Sequence, residues 1–165
     1  MKKLFVMVIL ALAISASAFG FGIELGAGAN VINVFGRIVP IPSAGGGVIV
    51  PVMGSFSLTG QFDALFEVGY SSDSPAYMAL GGGRYTFDMK NMKIFIGADG
   101  GALMNFFTPT TNLIFGVNAG ISFGMFYIKG AMRWLNITYS DGETTAPQTK
   151  LFPVTEIMGG LYLEF

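Results

Sequence analysis

The feature that most constrains this chain is a two-residue alternation that recurs from Phe21 to the last residue, Phe165. Successive side chains of a β-strand point to opposite faces, so this period marks strands rather than helices. From Phe21 to Val31 the odd positions are Phe, Ile, Leu, Ala, Ala and Val, and the even ones are Gly, Glu, Gly, Gly and Asn. From Leu113 to Phe123 the odd positions are again apolar, while Asn112, Asn118 and Ser122 fall between them. Between Phe126 and Trp134, Phe126, Ile128, Met132 and Trp134 oppose Tyr127, Lys129 and Arg133. In the last strand Ile157, Leu161, Leu163 and Phe165 oppose Glu156, Tyr162 and Glu164.

Such a chain needs an unusual solvent. It is 52% hydrophobic and 12% charged, about half the charge of an ordinary soluble domain. Its N-terminus reads as a processing signal. Lys2 and Lys3 precede an apolar run from Leu4 to Ile14, and Ala16-Ser17-Ala18 forms an A-x-A cleavage site. Residues 1–18 are therefore read as a signal peptide cut after Ala18, and residues 19–165 as one domain. The apolar run is too short to span a bilayer, which takes about 20 residues. No later stretch offers a spanning helix. An exported apolar chain without one has a single common membrane solution, a closed barrel, because only helices and closed barrels satisfy every backbone group in lipid.

The expected fold is all-β: one closed antiparallel transmembrane barrel. Eight strands are placed over residues 21–31, 48–58, 64–70, 77–88, 94–104, 113–123, 126–134 and 157–165. Short turns are expected at Thr59–Gln61, Asp88–Met92 and Gly124-Met125. Longer loops are expected at Ile32–Gly47, Ser71–Ala76, Asn105–Thr111 and Asn136–Lys150. Val48–Leu58 is the weakest strand, apolar on both faces and holding Pro51, which cannot donate to a ladder. Ile32–Gly47 is apolar for a loop, and a hairpin there raises the count to ten.

A secreted lipocalin-like barrel has the same alternation turned inside out. Here the polar face carries only about one charge per strand, and aromatic residues cluster near strand ends, where the girdles of membrane barrels lie. The C-terminal Gly160-Leu161-Tyr162-Leu163-Glu164-Phe165 resembles the outer-membrane assembly signal at Gly160, Leu163 and Phe165, with Met158 where that pattern has a polar residue. Residues 19–165 resemble the small eight-stranded OmpA/OmpX-like barrels. That resemblance implies a bacterial outer-membrane location and recognition by the barrel-assembly machinery during biogenesis. Outer-membrane lipid is the other expected partner, and a monomer is expected.

The chemistry is sparse. The chain lacks Cys and His, which removes thiolate nucleophiles, disulfides, the usual general base and the commonest metal ligand. No catalytic, cofactor-binding or metal-binding residue is assigned, and no cofactor is expected. The mature chain carries seven basic and ten acidic residues, so no basic surface invites nucleic acid. The constellation left is the charge on the polar face: Glu24, Asp63, Glu67, Arg84, Asp99, Lys129, Arg133 and Glu156. Inside a narrow barrel these must pair. The expected pairs are Glu67 with Arg84, Asp99 with Arg84, and Arg133 with Glu156. A filled, salt-bridged interior with a structural or passive role is the leading reading. The alternatives are a narrow channel for small or hydrophobic solutes and a surface binding protein acting through Asn136–Lys150.

Overall fold

The computed structural model describes residues 20–34, 37–69, 75–106, 110–139 and 148–165, which form a closed barrel of eight antiparallel strands in chain order. The strands are β1 (Gly22–Val34), β2 (Arg37–Met53), β3 (Phe56–Leu65), β4 (Ala76–Met89), β5 (Met92–Met104), β6 (Thr111–Phe123), β7 (Phe126–Tyr139) and β8 (Gln148–Glu164). The expected signal peptide, residues 1–18, and its expected cleavage after Ala18 lie outside the described residues.

The ladder sets the geometry. Direct partners run Gly22, Ile49, Thr59, Gly82, Asp99, Gly116, Arg133, Val154 and back to β1 at Ile32. One circuit thus climbs ten residues along β1. A stagger of this size tilts the strands by roughly 35–45° and leaves an interior that side chains fill. Closure is made by β1 and β8. Beyond their ladder, Phe21 N donates to Phe165 O at 3.2 Å and Phe165 N to Phe21 O at 2.9 Å, with the two rings stacked at 5.0 Å.

Several expected boundaries shift. Val48–Leu58 is not one strand. It contains the end of β2, a turn at Gly54-Ser55 and the start of β3. Gly54 takes a φ of +54°, which a glycine adopts without strain. Thr59–Gln61 is consequently no turn but the middle of β3. Ile32–Gly47 adds no hairpin; it lengthens β1 and β2, so the count is eight. β8 starts at Gln148, well before residue 157, and β7 continues to Tyr139. Polar composition misled at Thr59–Gln61 and at Asn136–Lys150. Gly60 is an outward strand residue, whereas the Gly54-Ser55 turn is hidden among apolar neighbours.

Strand prolines follow one rule. Phe66 N donates to Pro42 O at 2.9 Å, so even-numbered β2 residues turn their backbone groups toward β3. Pro40 and Pro42 thereby face the β3 side, where β3 has ended at Leu65. Pro51 faces β1 beyond its first pair, Gly22–Ile49, and Pro153 faces β1 beyond the last, Val154–Ile32. Each missing donor falls where the ladder on that side has stopped, the placement proline needs in a sheet.

The outward positions of the strands carry no Asp, Glu, Lys or Arg. Large apolar side chains stand exposed there, including Leu113 at 64%, Ile157 at 63% and Ile128 at 59%. An apolar surface of this extent is untenable in water, which excludes the inside-out soluble barrel. Aromatic residues flank this belt, with Phe56, Phe87, Phe123 and Phe126 toward the two-residue turns and Tyr77, Phe115 and Trp134 toward the loops. Phe115 and Trp134 stack across strands at 6.0 Å. Val117 projects outward from the middle of β6. Val117→Arg should cost about 2–4 kcal/mol, read as a lowered urea midpoint in lipid vesicles, while Val117→Leu should leave the midpoint nearly unchanged.

Candidate functional site

The inward face fills the lumen in four levels, counted from the end that carries the two-residue turns. At the rim, Lys93 Nζ of β5 lies 2.6 Å from Glu164 Oε2 of β8 and 4.0 Å from Asp88 Oδ1. This bridge is partly exposed.

The second level is an aromatic and ionic cross-tie. Arg84 Nη1 on β4 donates to Glu24 Oε1 on β1 at 2.5 Å, across the barrel. The guanidinium lies over the Phe95 ring at 4.5 Å and the Tyr162 ring at 5.7 Å. A cation over an aromatic face is attracted by the ring quadrupole, more so when desolvated.

The third level is the charged network. Arg133 on β7 binds Asp99 of β5 with both Nε and Nη2, at 2.8 and 2.9 Å. Its Nη1 donates to Glu156 of β8. This fork geometry suits guanidinium and is the strong form of such pairs. Asn118 Nδ2 also donates to Asp99 Oδ2 at 2.8 Å. Lys129 Nζ donates to Gln61 Oε1 at 2.7 Å and lies 3.7 Å from Glu156 Oε1. Gln61 Nε2 in turn donates to Asp63. Arg133, Glu156 and Asp63 are wholly buried. Glycine makes the room: a Cβ at Gly116, directly opposite Arg133, would run into the Arg133 side chain. A Cβ at Gly26 would likewise strike the Tyr127 hydroxyl.

The fourth level, toward the loops, is apolar. Ile32, Ile41, Leu65, Met78, Leu103, Ile114, Leu135 and Val154 point inward, one from each of the eight strands, and join Val68 and Phe106 in one buried cluster. Leu135 is 0% exposed and Ile32 1%. Between the second and third levels a cavity of about 20 Å³ remains beside Arg84, Gln61 and Lys129, room for about one water.

Seven of the eight charges expected inside, Glu24, Asp63, Arg84, Asp99, Lys129, Arg133 and Glu156, do point inward. Glu67 does not. β3 ends at Leu65, and Glu67 lies beyond it, exposed and at a φ of +67°. The expected pairs change accordingly. Arg84 takes Glu24, and Asp99 takes Arg133; only Arg133 with Glu156 was anticipated. Wall neighbours are legible in a strand list, but partners across the lumen depend on the ten-residue stagger. The apolar level was also missed, although loop-side strand ends that are apolar on both faces, as at Val31-Ile32, carry its signal.

Of the residues matched to the assembly signal, Gly160 pairs with Gly26, Leu163 with Ile23, and Phe165 stacks on Phe21. Met158 points inward and is buried, which accounts for an apolar residue at that position. Asp73, Asp141 and Glu143, loop acids with no assigned role, lie outside the described residues.

These features define a membrane β-barrel with a filled interior and the fold of the eight-stranded outer-membrane proteins. Among solved structures the chain is similar to Neisserial surface protein A, at a TM-score of 0.62 and 13% identity, covering 88% of this chain and 97% of that one. It is also similar to the N-terminal barrel of Pseudomonas aeruginosa OprF (TM-score 0.49, 11% identity, 88% and 98% covered) and to Ail of Yersinia pestis (0.49, 10%, 87% and 98%). No protein-family model matches the sequence, and no characterised protein matches it significantly.

The buried and rim bridges differ in weight. Removing one partner of a buried pair leaves an uncompensated charge, a loss of about 3–5 kcal/mol, whereas a rim pair contributes about 0–1 kcal/mol. Arg133→Met should therefore lower the urea midpoint of the refolded barrel strongly and Lys93→Met barely. Equal losses would contradict this assignment.

Proposed function

We propose that the protein is a non-enzymatic integral barrel of the bacterial outer membrane whose interior is a standing plug and whose role is structural or passive. The observation that carries this reading is the apolar fourth level. A polar lumen alone is compatible with ion passage when salt bridges exchange partners. Here a buried cluster with Leu135 at 0% exposure and Ile32 at 1% lies in series with the charged network. Rearranging charges leaves that cluster closed.

With the N-terminus in the periplasm, the turns at Gly54-Ser55, Lys90-Asn91 and Gly124-Met125 face the periplasm, and the other connections face outward. The expected partners are outer-membrane lipid and the barrel-assembly machinery, with Gly160, Leu163 and Phe165 as its recognition residues. The barrel works as a monomer.

Planar-bilayer recording on refolded protein tests the plug. The expected outcome is no steady conductance, both for the native chain and for Arg84→Gln, with heat-dependent gel mobility confirming that each barrel is folded. Reproducible conductance in the native chain that changes in Arg84→Gln would establish a conduit instead.

A further inference from the structure

The charged network carries one more negative charge than positive. Inside the rim lie Glu24, Asp63, Asp99 and Glu156 against Arg84, Lys129 and Arg133. Arg84 is taken by Glu24, Arg133 by Asp99 and Glu156, and Lys129 sits beside Glu156. Among the described residues no Lys or Arg lies within ion-pair distance of Asp63. Asp63 is nevertheless wholly buried, and its Oδ1 has no hydrogen-bond partner.

Two other buried oxygens accept no hydrogen bond. Asn30 is wholly buried and donates its amide to Ser43 Oγ at 3.1 Å, but its Oδ1 accepts nothing. Glu156 stands directly opposite Asn30 in the β1–β8 ladder, and its Oε1 has only Lys129, at 3.7 Å. Ser43 is opposite Leu65, two residues from Asp63. Gly45 stands opposite Asp63 in the β2–β3 ladder, and a Cβ there would run into Asp63 Oδ1.

The three oxygens thus come from strands β8, β1 and β3, offer acceptors only, and accompany one uncompensated negative charge. A water can donate to them but brings no charge. A divalent ion reverses the imbalance to a net positive one. Oxygen ligands suit hard cations. We propose that Asp63, Asn30 and Glu156 form a buried binding site for one small monovalent cation, taken up as the barrel folds. This site stands whether or not the lumen conducts.

The test is refolding of the complete mature chain into lipid vesicles in sodium chloride or in N-methylglucamine chloride of equal ionic strength. Unfolding equilibria and bound sodium are then measured after salt removal. At sodium about tenfold above its dissociation constant, the unfolding equilibrium should shift toward the folded barrel by about tenfold. One sodium should remain per barrel. Asp63→Asn removes the charge and Asn30→Leu removes one ligand, and both should abolish the shift. Should Asp63→Asn fail to refold, Asn30→Leu alone decides. An unfolding equilibrium indifferent to sodium, or an equal shift in a folded variant, overturns the site. So does an infrared band of a protonated carboxyl group in the native barrel that Asp63→Asn removes, because a proton then fills the place.

Discussion

Every backbone N–H and C=O in a lipid-embedded wall must find its partner within that wall, and the rest of this structure depends on meeting that demand. An open sheet leaves two edges unpaired in hydrocarbon; joining β1 to β8 removes them. The joint is reinforced where the chain ends, by the paired backbones and stacked rings of Phe21 and Phe165. The prolines obey the same demand. Pro40, Pro42, Pro51 and Pro153 each turn their missing donor toward a side on which the ladder has already ended. A proline whose missing donor faced a paired residue would leave that residue's carbonyl unpaired in lipid.

Closure with eight strands and a ten-residue stagger then dictates what lies inside. The bore admits side chains and little else, so inward residues must fit one another. Large residues are matched to glycines, as Arg133 is to Gly116 and Tyr127 to Gly26. Charges are matched across the bore: Arg84 ties β4 to β1, Arg133 ties β7 to β5 and β8, and Lys93 ties β5 to β8. Except for Arg133 with Glu156, these ties join strands that share no ladder. They resist register slip, because a one-residue shift of a strand would carry its buried charges onto the lipid face.

Much of this was legible in the sequence, for a physical reason. Lipid outside and charge inside make the two faces of each strand chemically unlike, so the faces of β1, β6 and β7 are evident from alternation alone. Turns were harder. At Gly54-Ser55 the flanking Val52, Met53 and Phe56 belong to the interfacial belt, so no polar stretch marks the reversal, while Thr59-Gly60-Gln61 imitates a turn inside β3. Glu67 was misplaced because β3 stops at Leu65 and the alternation beyond it is not a strand. The Arg84–Glu24 pair spans 60 residues of chain and three of the eight strand steps around the barrel, and only the stagger brings the two to one height. The apolar level stayed hidden because an inward Leu and an outward Leu are the same letter.

The order of the levels along the bore bears on what the barrel does. In the charged network each pair lies in a low-dielectric interior where separating the partners is expensive. A side chain that let go would have to find another acceptor at its own level, because the next level toward the loops is an apolar cluster. Its residues come from all eight strands and pack together, so parting them means moving the wall, and the wall is held by a closed ladder. A single charged gate has two low-energy arrangements when a second partner is near. A charged gate backed by a packed apolar layer has one. That serial arrangement, more than the count of salt bridges, supports reading the barrel as filled and passive.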